Sequence, residues 1–197
     1  MNEPPFIIPA GSGGCQAAVA ACGSLAPVTM LERAQAFVAL GANLGEREAQ
    51  IERALLSLES RGIATLRRSS LYLTEPVGGP PQDWFLNAAA ELATSLSPEA
   101  LLEATLAVEC SMGRVRTVKD GPRRIDVDLL LYGQERRSTA GLVLPHPRMH
   151  LRRFVLAPLC EIAPEVRHPV LGTTVSELLA RCPDRSEVRL FAPAAVK

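Results

Sequence analysis

The order of hydrophobic patterns along residues 36–132 is the feature that most restricts how this chain can fold. Four segments are typical of strands, the first as a short, continuously apolar run and the others by their length and side-chain pattern: 37–40, 66–72, 84–94 and 125–132. Two others place apolar residues at helical spacing: 47–60 and 97–112. We therefore predict the order strand, helix, strand, strand, helix, strand, with both helices packed on one face of an antiparallel sheet.

This order is the ferredoxin-like βαββαβ plan of the α+β class. Three further patterns predict a mixed C-terminal segment: a short strand at 142–144, a short helix at 155–165 and a helix at 175–181. The tail that contains 188–191 gives no prediction. Before the first strand, residues 1–34 are dominated by Pro, Gly, Ala and Ser, which predicts a flexible extension ahead of a single domain at 35–197.

Charge and cysteine content exclude several classes of protein. The 21 basic and 21 acidic residues balance, so no overall field draws the chain to nucleic acid or to a membrane. No apolar run reaches the roughly 18 residues needed to span a bilayer. The five cysteines are odd in number and scattered without zinc-ligand spacing, which argues against disulfides and favours a reduced, cytoplasmic protein.

The chemistry is concentrated in the stretch 113–132, where a basic loop leads into a strand that begins with two carboxylates. Asp126 and Asp128 are two residues apart, so they project on the same side of the strand, roughly 6–7 Å apart. An oxygen-only pair of this kind suits magnesium. Basic residues upstream suit phosphate oxygens: Arg114, Arg116, Lys119, Arg123 and Arg124. The alternative is a solvated basic loop beside two surface aspartates.

A second group of residues can form the wall of a ligand site. The loop 74–84 carries consecutive prolines and glycines at 78–81 and leads to Phe85 and Asn87, which alternation places on one face of a strand. A flat ring can stack on a heterocycle while the amide pairs with its edge. The alternative for Phe85 is an ordinary core residue. A second basic segment, 145–154, adds histidines, arginines and Phe154.

Four single residues receive their own interpretation. Glu109, in the last turn of the second helix, either orients Arg114 or is a solvated surface residue. Asn43 is a candidate cap for the first helix. Cys110 is a small helix residue, and His168 is a surface residue without a partner.

Five motifs, in order and spacing, resemble the 6-hydroxymethyl-7,8-dihydropterin pyrophosphokinase family over residues 36–183: LGANLG at 40–45, TEPVG at 74–78, FLNAAAEL at 85–92, GPRRIDVDLLLYG at 121–133 and LPHPRM-x-x-R-x-F at 144–154. The resemblance implies transfer of pyrophosphate from ATP to a pterin alcohol in folate biosynthesis. It also implies a cytoplasmic monomer with small-molecule substrates and two magnesium ions.

Roles for individual residues follow from the resemblance. Asp126 and Asp128 would hold the magnesium ions, and Arg114 and Arg123 would clamp the phosphates. Three further residues would contact ATP: Glu109, His146 and Arg152. The pterin ring would lie between Phe85 and Phe154, with its edge read by Asn87 and by backbone groups of Thr74 and Val77.

The sequence departs from the family at the arginine loop, which is shorter and has Asp120 where an aromatic residue is usual, so closure of this loop over ATP is in question. The competing hypotheses are a non-catalytic ferredoxin-like module that binds pterin or ATP, and an RNA-binding module of the same plan. The second would need a glycine–aromatic motif and a basic sheet. Neither is found in the sequence.

Overall fold

A six-stranded antiparallel sheet forms the centre of the molecule. The computed structural model describes residues 33–114 and 121–192, which belong to one compact unit. The sheet has the order β5-β1-β4-β3-β8, and β2 also pairs with β4. Its strands are β1 (Ala34–Ala42), β2 (Ala64–Arg68), β3 (Tyr72–Thr74), β4 (Phe85–Thr94), β5 (Asp126–Tyr132) and β8 (Val188–Leu190). A separate hairpin pairs β6 (Arg137–Ser138) with β7 (Val143–Leu144).

Helices cover both faces of the sheet. One face packs against α1 (Arg47–Glu59) and α2 (Pro98–Ser111) through a core that includes Leu40, Ile51 and Leu101. The other face packs against α3 (Arg153–Ile162) and α4 (Val175–Arg181). A 3-10 turn, Met149–Leu151, precedes α3. The ferredoxin-like prediction is confirmed, and the C-terminal segment supplies the second helical layer.

Local sequence signals account for the helix ends. The Ser97 hydroxyl accepts a hydrogen bond from the Ala100 N–H at 3.2 Å, and Pro98 is the first residue of α2. Thr174 and Glu177 form a reciprocal capping box at the start of α4. Gly113 ends the turn after α2 with φ +78°, a conformation that favours glycine.

The predicted strand 66–72 is instead two strands, β2 and β3, and Ser69 explains the break. Its N–H donates to the Ala89 carbonyl, while its hydroxyl accepts from the Ala89 N–H at 2.9 Å. The next N–H, that of Ser70, is bound by the Glu161 carboxylate at 3.0 Å. Side chains thus replace ladder partners at 69–70, and regular pairing resumes only at Tyr72.

Within the tail at 188–191, residues Val188–Leu190 form β8, an edge strand that extends the sheet beyond β3. Its three residues carry no alternation strong enough to predict it, because two of them are exposed. The prediction for residues 1–34 concerns, up to residue 32, a segment outside the described residues. Among the described residues, no helix combines the length and apolar character needed to cross a bilayer.

Candidate active site

Asp126 and Asp128 lie on the face of β5 that is turned away from α1 and α2. The antiparallel register places Asp126 opposite Gly41 and Asp128 opposite Ala39 on β1. Because both residues have the same strand parity, their side chains share one face, as predicted. Strand β5 begins at Asp126, so both carboxylates lie at the N-terminal end of this strand.

Two arginines that precede Asp126 in the sequence form ion pairs with its carboxylate. Arg114, which follows the turn after α2, forms ion pairs with both Asp126 and Glu109. The Nε atom of Arg123 lies 3.1 Å from Asp126 Oδ2. The predicted clamp arginines therefore meet at one carboxylate, and they bring two positive charges to the site.

Glu109 is a buried residue of the site, which excludes the solvated alternative. It is 3% exposed, and its Oε1 accepts a hydrogen bond from the Val127 N–H at 2.7 Å. Burial raises the pKa of Glu109 to about 7, although the Val127 N–H and Arg114 both favour the charged form. Glu109 thus joins α2 to β5 and holds Arg114 against Asp126.

Asp128 faces Arg152, whose Nη1 lies 3.8 Å from Asp128 Oδ2. Burial first, and then repulsion by the Asp126 carboxylate, raise the pKa of Asp128; Arg152, Arg123 and Arg114 act in the opposite direction. The two carboxylates therefore repel each other. A cation bound between them would offset this repulsion.

A cavity of about 550 Å³ opens in front of these groups. It brings together every residue that the sequence assigned to metal or ATP: Glu109, Arg114, Arg123, Asp126, Asp128, His146 and Arg152. Apolar side chains, among them Leu102 and Leu129, line another part of its wall. The cavity therefore combines a polar, charged end with an apolar surface.

His146 is held in one tautomer at the edge of this cavity. The Arg148 N–H donates to His146 Nδ1 at 3.2 Å, so in the neutral ring the proton is on Nε2. Burial first, then Arg152 and Arg148, lower the pKa of His146 to about 4. Near neutral pH His146 is therefore an uncharged ring that can donate one hydrogen bond from Nε2.

A second cavity, of about 110 Å³, adjoins the first. Its lining contains all the residues assigned to the pterin: Thr74, Val77, Phe85, Asn87 and Phe154. The guanidinium carbon of Arg123 lies 5.1 Å from the centroid of the Phe85 ring, and that of Arg152 lies 5.5 Å from the Phe154 centroid. Each ring is thus covered by one arginine, at a distance typical of a cation–π contact.

Asn87 is fixed by a neighbour on each side. Its Nδ2 donates to the Thr74 hydroxyl at 2.7 Å. On β1, Gly41 lies opposite Asn87, and a Cβ atom at residue 41 would lie only 2.5 Å from Asn87 Oδ1. The absent side chain of Gly41 therefore makes room for the amide.

Asn43 has a function different from the predicted helix cap. The residue before α1 is Glu46, without a side-chain cap. The Asn43 Nδ2 donates to Gln82 Oε1 at 3.0 Å and to the Asp83 carbonyl at 3.1 Å, while its Oδ1 accepts from the Arg123 N–H at 2.8 Å. Asn43 therefore joins the loop before β4 to the segment that carries Arg123.

Further residues of the cavities were not identified as site residues from the sequence. Glu75 and Gln82 line the smaller cavity, and Arg148 lines both. The density of basic residues at 145–154 was a signal for Arg148, whereas Gln82 lies in a loop without regular pattern. Arg116, Lys119 and Asp120, and with them the question of loop closure, lie outside the described residues.

The interpretation of His168 as a surface residue is wrong. It is 5% exposed, and its Nδ1 accepts hydrogen bonds from the N–H groups of Val170 and Leu171. Its ring meets the His150 ring edge-on, with centroids 6.0 Å apart. A tight turn after His168 supplies these donors, and nothing in the sequence pattern indicates it. Cys110 lies in α2, as predicted, and it is exposed.

The donor set at β5 fits magnesium better than a transition metal. Within residues 33–114 and 121–192, no group of three or more His, Cys, Asp or Glu side chains could enclose an ion. Magnesium needs no such group, because it commonly binds one or two carboxylates and completes its shell with water and substrate phosphates. Asp126 and Asp128 offer this incomplete, oxygen-only set.

Comparisons with known proteins agree on one family. Residues 37–164 match the family described as 7,8-dihydro-6-hydroxymethylpterin-pyrophosphokinase. A 2-amino-4-hydroxy-6-hydroxymethyldihydropteridine pyrophosphokinase of Bacillus subtilis is 47% identical over 66% of this chain and 79% of its own length. The protein of that name in Methylorubrum extorquens is 45% identical over 75% and 92%.

The similar solved structures share the fold at low sequence identity. A crystal structure of wild-type Plasmodium falciparum HPPK-DHPS with pterin and p-hydroxybenzoate is similar with a TM-score of 0.59 at 16% identity. The match covers 76% of this chain but only 43% of that longer one. At this identity the likeness supports the fold alone.

Proposed function

This chain belongs to the 6-hydroxymethyl-7,8-dihydropterin pyrophosphokinase family, and we propose that its two adjoining cavities bind the two substrates of that reaction. The enzyme transfers pyrophosphate from ATP to the hydroxymethyl group of 6-hydroxymethyl-7,8-dihydropterin in folate biosynthesis. ATP occupies the larger, charged cavity, and the pterin occupies the smaller, aromatic one. The observation that carries this assignment is that the two cavities share a wall of arginines.

Asp126 and Asp128 are the proposed ligands of two magnesium ions. The bound ions would neutralise phosphate charge and lower the pKa of the attacking alcohol. The support from the structure is the pair of carboxylates on one strand face and the raised pKa of Asp128. Arginine ion pairs hold these carboxylates in position.

Arg114, Arg123 and Arg152 bind the phosphates in this proposal. Guanidinium groups keep their charge at any working pH and bind phosphate oxygens bidentately. Glu109 positions Arg114, since it pairs with that arginine while it is anchored to Val127. His146 adds a neutral donor from Nε2 near the nucleotide. Positioning and charge stabilisation are what phosphoryl-type transfer to an alcohol mainly requires.

The pterin is bound by stacking and by edge contacts. Phe85 and Phe154 offer apolar faces, and the arginines now above them would meet the phosphate end of the complex. Asn87 and the backbone of Thr74 and Val77 supply donors and acceptors for the edge of the heterocycle. The hydroxymethyl oxygen is thereby directed toward the shared arginine wall, its attack on the β-phosphorus releases AMP, and its proton passes to solvent.

The decisive test is the identity of the nucleotide product. Purified protein is incubated with ATP, magnesium and the hydroxymethyl dihydropterin, and the nucleotides are separated. We expect AMP that forms only when the pterin is present. Formation of ADP, or no turnover, would contradict the proposed function.

The metal assignment is tested with Asp126→Ala and Asp128→Ala. Each variant should lose at least about 100-fold in kcat, because without the carboxylate the magnesium ions that would neutralise the phosphate charge are no longer held in place. Circular dichroism should show folded protein, and Glu135→Ala, at an exposed carboxylate of the β6–β7 hairpin region, serves as control. Near-wild-type turnover in either aspartate variant would refute the metal site.

We also propose that the protein acts as a cytoplasmic monomer without nucleic-acid or membrane partners. The balanced charge and the free cysteines Cys110, Cys160 and Cys182 support a reduced compartment and give no reason for a polyanionic partner. Light scattering after size-exclusion chromatography should give the mass of one chain, about 21.1 kDa. A mass of two chains would contradict this part of the proposal.

A further inference from the structure

Arg148 stands at the boundary between the two cavities. Three residues line both of them: Arg123, Arg148 and Arg152. In the proposed function, one cavity supplies the phosphorus atom and the other the attacking oxygen. The group that is transferred must therefore cross this shared wall.

The other two arginines of the wall are already engaged. Arg123 lies 3.1 Å from the Asp126 carboxylate and stacks over Phe85. Arg152 lies 3.8 Å from Asp128 and stacks over Phe154. The charge of each is thus partly compensated by a site carboxylate, and the rings restrict where each guanidinium can move.

The guanidinium of Arg148 differs in both respects. Within residues 33–114 and 121–192 it forms no ion pair and no ring contact, and the residue is exposed. Its positive charge nevertheless reaches the larger cavity, where it helps to lower the pKa of His146. An uncompensated arginine charge that faces a polyphosphate cavity is available to an incoming anion.

The backbone of Arg148 is fixed although its side chain is not. Its N–H donates to His146 Nδ1 at 3.2 Å, and its carbonyl accepts from the Leu151 N–H at 3.1 Å. These bonds hold the Cα atom at the start of the 3-10 turn. The long side chain can then change direction without moving the wall that carries it.

We propose that Arg148 binds the pyrophosphoryl group of ATP and follows it across the boundary during transfer. This inference rests on the proposed function. The pterin oxygen forms a bond to the β-phosphorus, the bond between that phosphorus and the oxygen bridging to the α-phosphate breaks, and AMP leaves with the bridging oxygen. The alcohol proton goes to solvent, and Arg148 donates to non-bridging oxygens of the moving group.

The test compares Arg148→Ala and Arg148→Lys with Arg136→Ala, which removes an equal charge from an arginine that lines neither cavity. In the AMP assay, Arg148→Ala should lower kcat about 10- to 100-fold, as expected for loss of a charge-assisted hydrogen bond formed in transfer. The pterin KM should change less than about threefold. Lysine should restore part of the rate, since it keeps the charge but loses the bidentate fork.

Calorimetry with magnesium and inorganic tripolyphosphate provides a second, activity-independent measurement. Arg148→Ala should weaken tripolyphosphate binding about tenfold relative to the wild type, and Arg136→Ala should not. Equal behaviour of Arg148→Ala and Arg136→Ala in both measurements, or a rise in the pterin KM alone, overturns the inference. If the wild type forms no AMP, the proposed function fails by itself, and the tripolyphosphate titration still decides whether Arg148 binds the phosphates.

Discussion

Gly41 shows how much of the site depends on one missing side chain. It lies on β1 between Asn87 of β4 and Asp126 of β5. It therefore separates the side-chain amide proposed to bind the pterin from the first carboxylate of the metal site. A Cβ atom there would lie 2.5 Å from Asn87 Oδ1. Cβ atoms essentially never lie this close to an oxygen, so the amide would have to move.

We therefore expect Gly41→Ala to raise the KM for the pterin by about tenfold, the usual scale for loss of one or two hydrogen bonds. The displaced Asn87 would lose its 2.7 Å bond to Thr74. Steady-state assays with each substrate varied in turn would measure this effect, and the KM for ATP serves as the internal control. Equal rises in both KM values would contradict a local effect on the amide.

His146 makes the folded state sensitive to acid. Its pKa is lowered to about 4 in the folded protein, below the usual value of about 6.5 in an unfolded chain. Between pH 6.5 and pH 4 the unfolded chain binds a proton at His146 that the folded protein does not bind. His146 therefore lowers the free energy of unfolding as the pH falls through this interval, and it has no effect on that free energy above pH 6.5.

Replacing His146 with Asn should remove this penalty. Urea denaturation at pH 7.5 and pH 5.0 should show that the wild type loses about 1–2 kcal/mol more than His146→Asn on acidification, after allowance for partial solvent screening. His168, whose pKa is also lowered by burial, remains in both proteins and cancels in the comparison. An equal loss in wild type and variant would contradict the assignment.

At the scale of elements, the edge strand β8 supports the pterin side of the site. It pairs with β3, the strand that ends at Thr74. The Glu75 N–H donates to the Glu187 carbonyl at 3.0 Å, and the Phe191 N–H donates to the Leu71 carbonyl at 2.8 Å. The tail thus fixes the start of the loop that lines the smaller cavity.

Arg189→Pro should separate the backbone contribution of β8 from that of its side chains. Arg189 lies opposite Leu73, and proline there removes a ladder N–H. Arg189→Ala is the matched control, since it also loses the contact of Arg189 with Trp84. We expect the pterin KM of the proline variant to exceed that of the alanine variant about threefold or more, at similar KM for ATP. Identical KM values would show that β8 does not position the loop.

Predictability from the sequence differed between elements for physical reasons. The periodic segments were identified because burial of one face imposes a period, as in α2 and β5. The break at Ser69, the role of Asn43 and the turn at His168 were missed, because each depends on hydrogen bonds to groups far along the chain or in irregular loops. The residues assigned to metal, ATP and pterin through the family motifs all line one of the two cavities, whereas Glu75, Gln82 and Arg148 were not assigned.

At the scale of the whole molecule, strand β1 joins the two substrate sites. It pairs with β4, which carries Phe85 and Asn87, and with β5, which carries both aspartates. All these residues belong to the compact unit that contains the described residues. Within the described residues, the sheet therefore sets the geometry of the site.

Removal of residues 1–29 should leave AMP formation within about twofold of the full chain, since Gly41 is the first residue in the sequence with a role in the site. The assay compares the two proteins at equal active concentration, with thermal denaturation to check the fold. A large loss of turnover in the shortened chain would show that the N-terminal segment contributes to activity.

Strand β4 has a consequence for how the molecule fluctuates. All ten of its residues are buried, and it pairs with β1, β2 and β3. We therefore expect its amide protons to exchange with solvent more slowly than those of β8, two of whose three residues are exposed, in a hydrogen-exchange measurement. The strand that carries Phe85 and Asn87 should thus open less often than β8, to whose start the loop that lines the smaller cavity is bonded through Glu75.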